Sequence, residues 1–348
     1  MSAAGRLTAL DSLRGLAAMM VVLFHYTTRY GELFGHSAPP SATLPWGYLG
    51  VNLFFMISGF VIFMTLEKTV RPMDFIVSRF SRLYPAYWGA VALTWAVVAV
   101  LGLPGKEVGP LTALLNLTML QGLMHVAAVD GVYWTLEVEL LFYAGALLLF
   151  RLGLLARVPL LLLALFALRL VYFGAARWGH VDLPWLAYHL LILQYIPWFA
   201  AGIMVYRLAR GSATPRADMA LIALAAALLA VAEGWPLALL LAGLSLLLYG
   251  AASGRLAWLG QPLLVGLGTM SYTLYLVHEN IGWALIRRLE AAGVGPDGAI
   301  LAALLCSMLL ALSLTLLVER PALRGLRLAW RRRQERRAAD AAALGQQG

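Results

Sequence analysis

The residues able to do chemistry stand out because almost everything around them is apolar. In LTALDSLRGLAAMMVVLFHY, Arg14 and His25 interrupt a hydrophobic run, with Asp11 three residues before the arginine. On a helix the eleven steps from Arg14 to His25 return to nearly the same face, about 16 Å further along. An ionisable side chain at mid-membrane costs about 2.5 to 3.5 kcal/mol on insertion scales, so two on one face point to a polar path inside a helical bundle. Imidazole exchanges protons near neutral pH, which makes His25 the leading general base. Its bland alternative is an interfacial histidine bonded to a neighbouring helix. Arg14 either lines the path or pairs with Asp11 and reaches toward the cytoplasmic surface.

Other polar groups recur at similar depth. Arg79 and Arg82, in RFSRLYP, stand three apart on one helical face, a spacing suited to gripping phosphate oxygens. The bias of basic residues toward cytoplasmic loops explains them equally well. WTLEVELLFY carries Glu137 and Glu139 about 200° apart, so they cannot serve one site together. Glu137, close to the helix start, reads as an interfacial or dipole-balancing group, and the deeper Glu139 as the carboxylate that orients or charge-balances His25. SYTLYLVHEN brings His278 and Glu279 to membrane depth about 100° apart, with His278 a second polar candidate, for substrate positioning or for catalysis alike. Glu319 and Arg320, before Pro321, read as an ion pair ending a helix. No phosphate loop, zinc-type histidine pair or EF-hand loop occurs, and no metal is assigned.

What positions these groups follows from composition. The 348 residues are 62% hydrophobic and 12% charged, and their mean hydropathy of +0.81 lies far outside the range of soluble domains. The expected fold is all-α, a polytopic bundle of about ten membrane spans centred near Met19, Ile57, Thr94, Tyr143, Leu165, Phe199, Leu224, Leu241, Leu276 and Leu309. With the N-terminus inside, 19 arginines and lysines fall on the cytoplasmic side and 5 on the other, leaving only Arg14 and Arg169 within spans. That asymmetry predicts both termini cytoplasmic, Arg14 near the cytoplasmic end of its span and His25 near the outer end. The net charge of +9 therefore belongs to topology and not to nucleic-acid binding. The first span is read as retained and not as a cleaved signal. The connection 103–132 is expected to hold an interfacial amphipathic helix. Residues 1–328 form the membrane domain, and 329–348 a basic cytoplasmic tail, helical at first and then disordered. Cys306, the one cysteine, reads as a packed core residue.

Taken in order, LTALDSLRGLAAMMVVLFHY, NLFFMISGF, RFSRLYP, WTLEVELLFY, FAAGIMVY, SYTLYLVH and LVERP resemble the membrane-bound acyltransferase 3 family over nearly the whole chain. The resemblance maps the family's arginine and histidine onto Arg14 and His25, its paired arginines onto Arg79 and Arg82, its tryptophan and glutamate onto Trp134 and Glu139, and its serine-glycine-phenylalanine onto Ser58, Gly59 and Phe60. It implies an acyltransferase of the kind without an appended hydrolase-like domain, in a bacterial inner membrane. Acyl-CoA, with acetyl as its usual acyl group, would be the donor, held by Arg14, Arg79 and Arg82. A hydroxyl of a glycan, glycolipid or small metabolite would be the acceptor. His25, Glu139 and Arg14 then carry catalysis, with Trp134, His278 and Ser58 touching substrate. In the simplest route His25 deprotonates the acceptor hydroxyl; an acyl-histidine intermediate is the other. The donor's pantetheine arm, on the order of 15 to 20 Å extended, matches the rise from Arg14 to His25. The competing class is a proton-coupled transporter or flippase in which Arg14, His25, Glu139 and His278 form a relay.

Overall fold

Apolar runs with few helix breakers inside them fold here into helices alone. The computed structural model describes residues 3–345, and among these no strand occurs. The first half comprises α1 (Ala3–Phe24), α2 (Tyr30–Phe34), α3 (Gly50–Leu66), α4 (Pro72–Leu101), α5 (Pro110–Asn116), α6 (Trp134–Arg151) and α7 (Val158–Gly174). The second half comprises α8 (Trp185–Leu190), α9 (Ile196–Ala209), α10 (Pro215–Ala232), α11 (Trp235–Ala252), α12 (Pro262–Val277), α13 (Glu279–Ala291), α14 (Pro296–Leu314) and α15 (Arg320–Gly345). Proline stands in the first turn of several, including α4, α9, α10, α12 and α14, where its missing N–H costs nothing.

Among the described residues eight helical segments are long and apolar enough to cross a membrane, and two shorter apolar helices, Ile196–Ala209 and Pro262–Val277, accompany them. The ten centres read from the sequence each fall within one of these ten segments. The chain is a multi-pass membrane protein. In the 103–132 connection α-helix is limited to the seven residues of α5, after which the chain turns, so the interfacial helix expected there is short. Buried Asn116 replaces further helix as the organiser: its side-chain N–H groups donate to the Thr112 and Ala127 carbonyls, and its side-chain oxygen accepts from the Val129 N–H.

Two helix crossings are set by glycine. A Cβ on Gly268 would strike the Asp11 carbonyl and one on Gly15 the Gly268 backbone, so α1 and α12 touch backbone to backbone. Gly59 and Gly202 do the same for α3 and α9, where a side chain would meet the Phe199 and Met56 carbonyls. Without a hydrophobic force between helices in lipid, such close approach maximises dispersion contact. Arg169, 2% exposed, pairs with Glu233, and Arg207, in the last turn of α9, donates to Asp218 at 2.9 Å. α15 runs without a break across position 328, and Trp330 Nε1 donates to Asp74 at 2.7 Å, so the tail packs on the start of α4. Gln346, Gln347 and Gly348, part of the expected disordered end, lie outside the described residues. Cys306 is only half-buried, because it sits toward the outer side of α14.

Candidate functional site

Helix α1 does not stay regular to its end. At His25–Arg29 the backbone widens into a π-turn, with the Tyr30 N–H bonding to the His25 carbonyl five residues back. That carbonyl also accepts from Trp283 Nε1 at 2.9 Å. Such π-turns re-aim side chains and recur at functional positions. The imidazole of His25 is fixed in turn: Nδ1 lies 2.8 Å from the Val21 carbonyl, which can only accept, so Nδ1 carries the proton and Nε2 the lone pair.

His278 stands directly behind it. Its own Nδ1 faces the Tyr275 and Leu274 carbonyls at 2.9 and 3.2 Å, leaving its Nε2 to accept, 3.2 Å from His25 Nδ1. The side chain is fully buried and borders neither the cavity at Arg14 nor the one at His25, so it packs behind His25 instead of facing either one. The reason is the break between α12 and α13 at this residue, which turns His278 and Glu279 apart. Glu279 comes forward, its Oε2 3.9 Å from His25 Nε2. Its carboxyl packs over Gly131 and beside Asp130, which is itself held by the Val132 and Asn280 N–H groups at 3.3 and 3.1 Å. The carboxylate next to His25 is therefore Glu279, which the sequence reading noted but did not choose.

Glu139 is elsewhere. It accepts from Ser58 Oγ at 2.8 Å and from the Tyr143 hydroxyl, and lines a small cavity with Arg14, Arg79, Tyr272 and Tyr275. Arg79 lies over the Phe75 and Tyr143 rings at 5.8 and 5.9 Å, with its buried Nε unpartnered. Among the described residues no salt bridge joins Arg14 to Asp11. Arg82, expected to act with Arg79, turns away: it pairs with buried Glu319, at the end of the π-turn Thr315–Glu319, and lies 5.9 Å from the Tyr272 ring. The partner of Glu319 is thus Arg82 and not the adjacent Arg320.

His25 faces a second, larger cavity of about 370 Å³, walled also by Asn52, Lys106, Trp134, Glu279 and Trp283. The Arg14 cavity holds only about 60 Å³. Val51 and Tyr275 border both, so the stripe of α1 runs past two chambers and a narrow partition instead of one open conduit. Tyr275 is held in that partition by Thr135, whose hydroxyl lies 2.9 Å from the phenol. The arrangement offers a base with a free lone pair in one chamber and two guanidinium groups in the other.

Comparison with known proteins agrees in extent. A family model described as an acyltransferase domain matches residues 7–319. The chain is 31% identical over 325 residues to "Exopolysaccharide production protein ExoZ" of Rhizobium meliloti (strain 1021), covering 87% of this chain and 95% of that one. It is 30% identical over 305 residues to "Putative membrane-bound transacylase BcsY" of Komagataeibacter xylinus, covering 77% and 71%. A shorter match, 40% over 107 residues, links it to "Protein 2 in picA locus" of Rhizobium radiobacter, covering 28% and 51%. No solved structure matches.

Proposed function

Because the chain belongs to the acyltransferase 3 family, and so is a membrane-bound acyltransferase, we propose that it moves an acyl group, acetyl in the simplest case, from cytoplasmic acyl-CoA to a hydroxyl of a glycan. The relative ExoZ, whose name ties it to exopolysaccharide production, favours a glycan among the possible acceptors. The observation that carries the reaction is the geometry of His25: Nδ1 satisfied by Val21, Nε2 aimed into a chamber large enough for a sugar ring.

In this reading the acceptor hydroxyl gives its proton to His25 Nε2 as its oxygen attacks the thioester carbonyl. The tetrahedral oxyanion collapses, the C–S bond breaks, and the thiolate leaves with the proton that His25 had taken. Glu279, 3.9 Å away, stabilises the imidazolium between those two transfers. Lys106, above the Trp283 ring at 5.3 Å, adds positive potential in the same chamber for the oxyanion. On the donor side Arg14 and Arg79 face the phosphates or thioester arm, and Ser58 and Glu139 shape that chamber. With its present volume the donor chamber must widen at Tyr275 for the arm to reach His25. In this reading the bundle sits in a bacterial inner membrane with both termini cytoplasmic, a direction supported by its arginine distribution.

The test is transfer of label from acetyl-CoA by the purified protein. Label on a glycan, with CoA released only when the acceptor is present, is expected. Proton-coupled movement of an unmodified solute across vesicles, without acyl transfer, would overturn the proposal in favour of a transporter.

A further inference from the structure

Beside the His25 chamber lies another cavity that the reaction does not use, of about 550 Å³. Its walls carry aromatic rings from three parts of the chain: Trp134 at the start of α6, Trp185, Tyr188 and His189 on α8, and Tyr195 before α9. The rings are already paired. Trp185 stacks on His189 with centroids 4.8 Å apart and planes 25° from parallel, and Trp134 lies 5.3 Å from Tyr195 at 35°. Trp134 and Trp185 remain 44% and 47% exposed, leaving ring surface uncovered.

The same cavity has a polar floor. Glu137, 3% exposed, accepts from His189 Nε2 at 2.6 Å and from the Gly122 and Leu123 N–H groups at 2.7 and 3.2 Å. Gln121, 2% exposed, also lines it, and its side-chain oxygen has no hydrogen-bond partner. Flat apolar faces alternating with fixed donors and acceptors suit a sugar, whose ring presents C–H groups on its faces and hydroxyls at its edge. A lipid chain would require neither the buried carboxylate–imidazole pair nor the unpartnered amide oxygen. The groove between α6 and α7, walled by Phe142, Leu149, Leu162 and Leu165, has the aliphatic lining that suits lipid instead.

Trp134 borders both this cavity and the His25 chamber. We propose that the Trp134–Trp185–His189 cavity is an acceptor subsite that stacks a sugar unit neighbouring the one being acylated, so that the enzyme reads oligosaccharide length. The inference rests on the glycan reading given above. Trp134 serves as the shared wall, with one sugar on its inner side at His25 and the next toward Trp185.

The experiment measures acetyl transfer by the full-length protein to a ladder of oligosaccharides from partial hydrolysis of a bacterial exopolysaccharide. Trp185→Ala is compared with Trp185→Phe and wild type. Trp185→Ala should raise the KM of the longer oligosaccharides by about tenfold, equivalent to about 1.4 kcal/mol of lost contact. Trp185→Phe should restore much of that loss, and the KM for acetyl-CoA should not move. Equal KM values for wild type and Trp185→Ala at every length would overturn the subsite while leaving the glycan reading in place. Absence of label on any oligosaccharide with wild-type protein would overturn the glycan reading and the subsite together. Should Trp185→Ala lose acetyl-CoA binding, and so report on folding, Trp185→Phe carries the comparison with wild type: a KM shift that grows with length supports the subsite, and none at any length overturns it.

Discussion

Two carboxylates compete for the role of partner to His25, and the distances divide them. Glu279 reaches within 3.9 Å of Nε2, whereas Glu139 is bound to Ser58 and Tyr143 in the chamber of Arg14 and Arg79. Glu279→Gln keeps the shape and removes the ionisable carboxyl, so kcat should fall about tenfold, the effect of about 1.4 kcal/mol on the barrier, with little change in KM for acyl-CoA. Glu139→Gln should instead act mainly on the acyl-CoA KM. Steady-state kinetics of the two variants separates them, and a kcat defect confined to Glu139→Gln would reverse the assignment. Spacing along α6 was enough to prefer Glu139 over Glu137 as the deeper group. It could not show which helix faces His25, because that depends on the break at His278, where α12 ends at Val277 and α13 begins at Glu279. Nor does spacing distinguish Arg79 from Arg82, since the choice is made by Glu319, 237 residues further on.

At the level of elements, glycine sets how closely helices approach. Gly202→Ala places a methyl against the Met56 carbonyl, and overpacking of this kind costs about 1 to 3 kcal/mol. Gly243, within α11, has open space where its Cβ would be, so Gly243→Ala should be neutral or stabilising by up to about 1 kcal/mol. Thermal unfolding in detergent should therefore show a lowered midpoint for the first substitution and an unchanged or raised one for the second; equal midpoints would contradict the crossing. Apolar run length revealed the helices themselves, and each expected centre lies inside one. The π-turn at His25–Arg29 was not legible, because it differs from an α-helix by one hydrogen-bond step and is held by Trp283, far along the chain. The two chambers were likewise hidden, since the residues that border both, Val51 of α3 and Tyr275 of α12, lie far apart along the chain.

For the whole molecule, charge distribution sets direction. If basic residues lie on the cytoplasmic side, the 210–214 connection is inside and the 35–46 connection outside. Both carry exposed alanines, Ala213 and Ala38. With Cys306→Ser as background, a cysteine at Ala38 should react with an impermeant reagent in intact cells, and one at Ala213 only after lysis. Labelling of both from the same side would contradict the span count between them. The direction matters because, in the proposed reaction, the donor reaches Arg14 and the acceptor His25 from opposite faces. The most direct test of that arrangement compares His25→Ala with wild type for both acetyl-CoA binding and acetyl transfer to glycan. The account predicts retained binding with transfer lost; transfer at the wild-type rate would contradict it.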